Sequence, residues 1–152
     1  APGAVAFAVA AGEATAGVAK RAHRLSDLRD ALISGVRAAV PEAVLRGDPD
    51  DRLPGNVHFT FPGCEGDSLL FLLDVAGFSV STGSACQAGV PEASHVLLAM
   101  GVDEPTARGA LRISLGETTT ADEIAQFVAA LPRAVEQATA AGYSSRDTIL
   151  GR

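Results

Sequence analysis

Cysteine is scarce in this chain: two in 152 residues, Cys64 and Cys86. Two cannot build the multi-disulfide framework that staples small secreted domains. No Cys-x-x-Cys pair marks a zinc centre or a thioredoxin-type redox site. The two thiols pair only if the fold joins them, and a reducing cytosol keeps thiols apart. A reduced, cytoplasmic protein is the expectation. Long apolar runs are missing too. None approaches the roughly 20 residues that span a bilayer, and no charged n-region precedes an apolar h-region, so neither a membrane span nor a secretion signal is expected. Clustered basic residues are also absent. With arginines scattered, a net charge of −6 and a pI near 4.9, a nucleic-acid surface is not expected. His23, His58 and His95 are too spread to make a metal site. Asp48, Asp50 and Asp51 read as a solvated loop.

What is present describes one globular domain. Apolar residues make up 47% and charged residues 20% of the chain, too hydrophobic for disorder. From about Ala4 to Val40 the pattern is helical, with Val18, Ala22, Leu25, Leu28, Leu32 and Val36 on one stripe. Gly12 and Gly17 weaken its first part, and Pro41 ends it. "AVLRG" reads as a short strand and "DPDDRLPG" as a loop. "NVHFTF" alternates, with Val57, Phe59 and Phe61 on one face and Asn56, His58 and Thr60 on the other, as in a half-buried strand. "DSLLFLLDVAG" is a short helix closed by Gly77, "FSVS" a brief strand, and "PEASHVLLAMG" a second short helix. "DEPTARGA" makes a helical turn or two, and "LRISL" a strand. A capping box from Thr120 to Glu123 opens a final helix, which Pro132 is expected to kink or divide. The segment from Tyr143 lacks a periodic face and reads as a mobile tail. Short strands with helices on one side predict a two-layer α/β domain with a mixed or antiparallel sheet.

The stretch that asks for an explanation is "STGSACQAG", Ser81 to Gly89. Free cysteine prefers burial, yet Cys86 has only small and polar neighbours. A thiol reacts as thiolate and needs access. Gly83 and Gly89 give the backbone wide freedom. Such a loop suits a thiol that must be carried from one place to another; a small residue filling an ordinary loop is the bland alternative.

"STGSACQAGVPEASHVLLAMG" resembles the active-site segment of the cysteine desulfurases, pyridoxal-phosphate enzymes that take sulfur from L-cysteine. "LPGNVHFTFPGCEGDSLLFLLD" resembles the strand, turn and helix before that loop in the family, and "ARGALRISLGETTTADEIAQFV" the strand and final helix after it. The Ser-Thr-Gly-Ser-Ala-Cys form resembles the branch serving general iron–sulfur cluster assembly and nitrogenase maturation. The resemblance covers nearly the whole chain, most specifically Leu53 to Val128, and implies the C-terminal small domain of a fold-type I pyridoxal-phosphate enzyme.

The resemblance implies that Cys86 is the nucleophile that takes a persulfide, and that Arg112 binds the substrate carboxylate. Thr82, Gly83, Ser84 and Ala85 would support the catalytic loop. It implies no cofactor-binding residue here. The one lysine, Lys20, sits in a helical pattern unlike the family's His-Lys site, so pyridoxal phosphate would be held mainly by a large N-terminal part. Met100 is the only methionine, and the opening reads like the middle of a helix. The chain is therefore expected to be the C-terminal third of a longer protein. Residues 1–40 would link to that missing part, 41–142 form the small domain with its loop at 82–92, and 143–152 the tail. The implied partners are the protein's own large domain, a homodimer mate, L-cysteine, and a sulfur-acceptor scaffold or carrier. Alone, the chain is expected to be inactive. A stand-alone persulfide carrier and a selenocysteine lyase-like enzyme are the alternatives. Cys64 reads as incidental, His95 as a packing residue, and His58 as a departure from the asparagine the family often has there.

Overall fold

The computed structural model describes residues 1–83 and 93–147. Cys86, Ser84 and Ala85 lie outside the described residues, as does most of the loop at 82–92. Two helices open the chain, α1 (Pro2–Ala16) and α2 (Val18–Ala39), bent by 60° at Gly17. Then come strands β1 (Val44–Leu45) and β2 (Asn56–Thr60), and helices α3 (Gly66–Val75), α4 (His95–Ala99) and α5 (Glu104–Arg108). Strand β3 (Ala110–Ser114) and the long helix α6 (Ala121–Asp147) complete the order. Among the described residues no single helix is long and apolar enough to cross a membrane.

The sheet is antiparallel, in the order β1-β2-β3. Register follows from alternation, because a slip of one residue would turn the apolar set to the wrong face. Val57 opposes Ile113 and Phe59 opposes Leu111. All four are buried and face α2, α3 and α6 in one core with Leu32, Val36, Leu69, Leu73, Phe127 and Leu131. Full burial of a leucine or phenylalanine of this kind contributes about 1.5–3 kcal/mol. A second, small cluster joins Leu97, Ala107 and Ala110.

"FSVS" makes no full strand. It contributes one bridge, Ser81 to Arg112, at the free edge of β3. The helical stripe of α2 is also shorter than the sequence pattern predicts. Leu32, Ile33 and Val36 are buried, but Val18 is exposed. No residue of α1 is buried, and Val5, Phe7 and Val9 stand in solvent.

The capping box forms as read. Thr120 N donates to Glu123 Oε2 at 2.8 Å, and Glu123 N donates to Thr120 Oγ1 at 3.2 Å. Pro132 does not divide α6. Ile124, Phe127, Leu131, Ala134, Val135 and Ala138 are buried on both sides of it, and this packing carries the helix past the missing N–H. The helix also runs to Asp147, five residues into the segment read as a tail. In the helix Cys64 meets, Thr139 Oγ1 donates to Val135 O at 2.8 Å. Cys64 Sγ lies within hydrogen-bond reach of Thr139 Oγ1 at 3.1 Å and of Val135 O at 3.7 Å. Burial pushes that thiol above its usual range, against the pull of the Thr139 bond. Cys64 is thus a packed core residue that stays protonated.

Candidate functional site

The sheet has a second face, turned away from α2, α3 and α6; at one end of it Ala110 packs with Leu97 of α4 and Ala107 of α5. Residues directly opposite one another in an antiparallel pair project to the same side. His58 opposes Arg112. On the far side of Arg112, Ser81 is bridged to it by two backbone bonds: Ser81 N donates to Arg112 O at 3.0 Å, and Arg112 N to Ser81 O at 2.6 Å. On the far side of His58, Arg46 N donates to His58 O at 2.8 Å. One row therefore crosses the sheet: Arg46, His58, Arg112, Ser81. It brings together residues more than thirty positions apart in sequence, and it ends where the cysteine-bearing loop begins.

Arg112 is the exposed member of this row. Among the described residues no carboxylate forms an ion pair with it. Its Nη2 reaches only Ser81 Oγ, at a long 3.5 Å. A guanidinium presents a fixed fork of donors that fits a carboxylate with two parallel bonds. Among the described residues that fork is uncommitted, and the side chain is exposed. Arg46 is engaged differently, its Nε donating to Thr60 Oγ1 at 2.8 Å.

Ser81 ties the loop's first residues to the row. Its hydroxyl accepts from Gly83 N at 3.1 Å, a local turn of the kind serine favours. Gly83 adopts φ +82, the left-handed region that side chains rarely occupy. Thr82 packs against the start of α3. A Cβ on Gly66 would sit 3.0 Å from Thr82 Cγ2, 2.8 Å from Ala110 O and 2.9 Å from Arg108 O. Only glycine lets α3 approach β3 and the loop root this closely. Gly66→Ala should cost about 1–3 kcal/mol by overpacking, read as a lower urea midpoint at unchanged m-value. An unaltered midpoint would show that the approach is not tight.

His58 is half-buried, and its Nε2 is fully buried with no hydrogen-bond partner among the described residues. Burial holds the imidazole below its usual range, and the guanidiniums of Arg112, Arg46 and Arg52 push the same way. The ring is therefore neutral near pH 7.

Of the residues singled out in the sequence, Arg112, Thr82 and Gly83 stand together at this edge. Ser81 and His58 were not assigned roles by the sequence. Alternation put His58 on the polar face, but only the strand register puts it opposite Arg112. Among the described residues no cluster of His, Cys, Asp or Glu is placed to hold a metal ion.

Comparison with known proteins gives a consistent picture. The family model for aminotransferase class-V matches residues 2–127. The IscS-like cysteine desulfurase of Mycobacterium tuberculosis is 50% identical over 143 residues, covering 93% of this chain and 36% of that protein. The cysteine desulfurase NifS of Azotobacter vinelandii is 43% identical over 110 residues, covering 72% of this chain and 27% of that protein. Among solved structures, a NifS-like protein from Rickettsia africae superposes with a TM-score of 0.74 at 26% identity, covering 86% of this chain and 33% of that one. The chain spans about a third of the length of the curated relatives it matches.

Enzymes of this family use pyridoxal phosphate in general, held through a lysine. The only lysine, Lys20, is exposed on α2, a helix whose buried residues pack on the sheet face opposite Arg112. The residues of this chain do not fit that cofactor.

Proposed function

Because the chain belongs to the aminotransferase class-V family, we propose that it is the cysteine-bearing part of a cysteine desulfurase. In the whole protein, L-cysteine is converted to L-alanine and its sulfur is left as a persulfide on Cys86. The thiolate of Cys86 bonds to the substrate sulfur and the substrate C–S bond breaks. The methyl carbon of alanine gains one hydrogen, matching the one lost from the substrate thiol. Arg112 holds the substrate carboxylate. Pyridoxal phosphate, the electron sink of this reaction when bound, belongs to residues outside this chain.

The observation that carries the reading is the uncommitted, exposed guanidinium of Arg112, bridged through Ser81 to the root of the loop holding Cys86. The edge that offers a carboxylate receptor is then the one from which the chain enters the segment holding Cys86. The exposed Val5, Phe7 and Val9 of α1 suit packing against a large domain. A cytoplasmic homodimer that hands its sulfur to an iron–sulfur scaffold or a thiolation carrier completes the proposal. This chain by itself would be inactive, since it holds no cofactor lysine.

The test is a peptide mass map of the full-length protein after incubation with pyridoxal phosphate and L-cysteine, kept non-reducing. The peptide containing Cys86 should gain the mass of one sulfur atom. A Cys86 peptide of unchanged mass, beside alanine formed in the same tube, would overturn the role given to Cys86.

A further inference from the structure

Packing does not hold helix α1. None of its residues is buried, so burial cannot set its 60° angle to α2. One side chain bridges the bend. Arg21, in the first turn of α2, donates from Nη2 to Ala14 O near the end of α1. The last carbonyls of a helix lack intrahelical donors, and a cation there also meets the negative end of the helix dipole. Arg21 therefore caps α1 from the helix that follows it. Its guanidinium runs beside Gly17, in the space that a Cβ there would take. Only glycine leaves that path open. The same guanidinium pairs through Nε with Glu117 Oε1 at 3.1 Å. Glu117 lies in the turn between β3 and α6, just past the end of β3. Arg24 ties α2 to that turn a second time, its Nη2 donating to Thr119 O. The turn is itself braced: Gly116 N donates to Thr119 Oγ1 at 2.9 Å, and Leu115 N to Gly55 O at 2.8 Å. It is a fixed post, continuous with the strand that carries Arg112.

We propose that Gly17 is a hinge and Arg21 its latch. Paired with Glu117, the arginine holds α1, with its exposed Val5, Phe7 and Val9, at a set angle to the sheet that carries Arg112. The two side chains of the pair are 31% and 69% exposed. Ion pairs as open to water as this are weak, and salt weakens them further. The latch therefore opens and recloses readily, and α1 swings about Gly17 while it is open. The device belongs to the folded chain and does not depend on the reaction proposed for Cys86.

The test is hydrogen exchange of the full-length, cofactor-loaded protein, read by mass spectrometry on a peptide spanning the elbow at Gly17. A peptide holding β2 serves as the fold control. Arg21→Ala should speed exchange at the elbow about five-fold and Glu117→Gln about two-fold, with the control unchanged. Both changes together should do no more than Arg21→Ala alone, because Glu117 acts on the elbow only through that guanidinium. Raising salt from about 0.05 M to about 0.5 M should bring wild type close to Glu117→Gln and leave Arg21→Ala where it was. Exchange at the wild-type rate in Arg21→Ala would overturn the proposal, and so would two effects that simply add. If Arg21→Ala also loses protection in the control peptide, Glu117→Gln and the salt series decide, since Glu117 is exposed and its loss leaves the fold intact. A wild-type elbow that responds neither to salt nor to Glu117→Gln would then overturn it.

Discussion

Replacing Cys86 with serine in the full-length protein should abolish persulfide formation and slow alanine production from L-cysteine by at least about a thousand-fold. Serine keeps the size and loop chemistry of the site. It lacks a nucleophile that ionises near neutral pH, since a hydroxyl stays protonated where a thiol is already partly thiolate. Folding should be unaffected, because the neighbours of Cys86 in sequence are small and polar and give it no core to belong to. Cys64 is the internal control. Its thiol is 3% exposed, hydrogen-bonded to Thr139 and pushed up by burial, so it cannot take over the role. The check is a discontinuous assay of alanine together with a non-reducing mass map. Alanine production at the wild-type rate in Cys86→Ser would remove the cysteine from the mechanism and leave it an ordinary loop residue.

The second large effect is expected at Arg112. Arg112→Ala should lower kcat/KM for L-cysteine by about a hundred-fold, equivalent to about 3 kcal/mol for two charge-assisted hydrogen bonds. Most of it should appear in KM, because the carboxylate is held alike before and during the reaction. Arg112→Lys keeps the charge but replaces a planar fork with a point donor, and should recover only part of the loss. The fold should survive both changes, since the side chain is exposed and makes no ion pair with the described residues. Its backbone bonds to Ser81 remain in any variant. Steady-state kinetics with L-cysteine decides the point. An unchanged KM in Arg112→Ala would mean that the carboxylate is held elsewhere, and the open fork on this edge would have another use.

Arg112 also shows what can be reached from sequence and what cannot. Its candidacy came from the motif "LRISLG", and its freedom from partners came only with the structure. His58 is the sharper case. The alternation of "NVHFTF" placed it correctly on the polar face, because period-two patterning is a local property of a strand. Its neighbour across the sheet lies 54 positions away, and the Ser81 bridge joins residues 31 apart. No local pattern encodes such pairings; they arise when the apolar faces of β2 and β3 are buried together and the register locks.

The sequence by itself determined the elements with local causes. These are the capped start of α6 at Thr120, the alternating strand at 56–60 and the closure of α3 at Gly77. It went astray where tertiary packing competes with local rules. Pro132 is expected from local rules to kink or divide the final helix; it does not divide it, and buried neighbours on both sides hold α6 together. "FSVS" was read as a strand and supplies one bridge. Val18 was placed on a buried stripe and faces solvent. The tertiary structure alone decided the row Arg46, His58, Arg112, Ser81 and the neutrality of the histidine within it. Burial and the field of three arginines are properties of assembled surfaces, and neither exists along the chain until the sheet has formed.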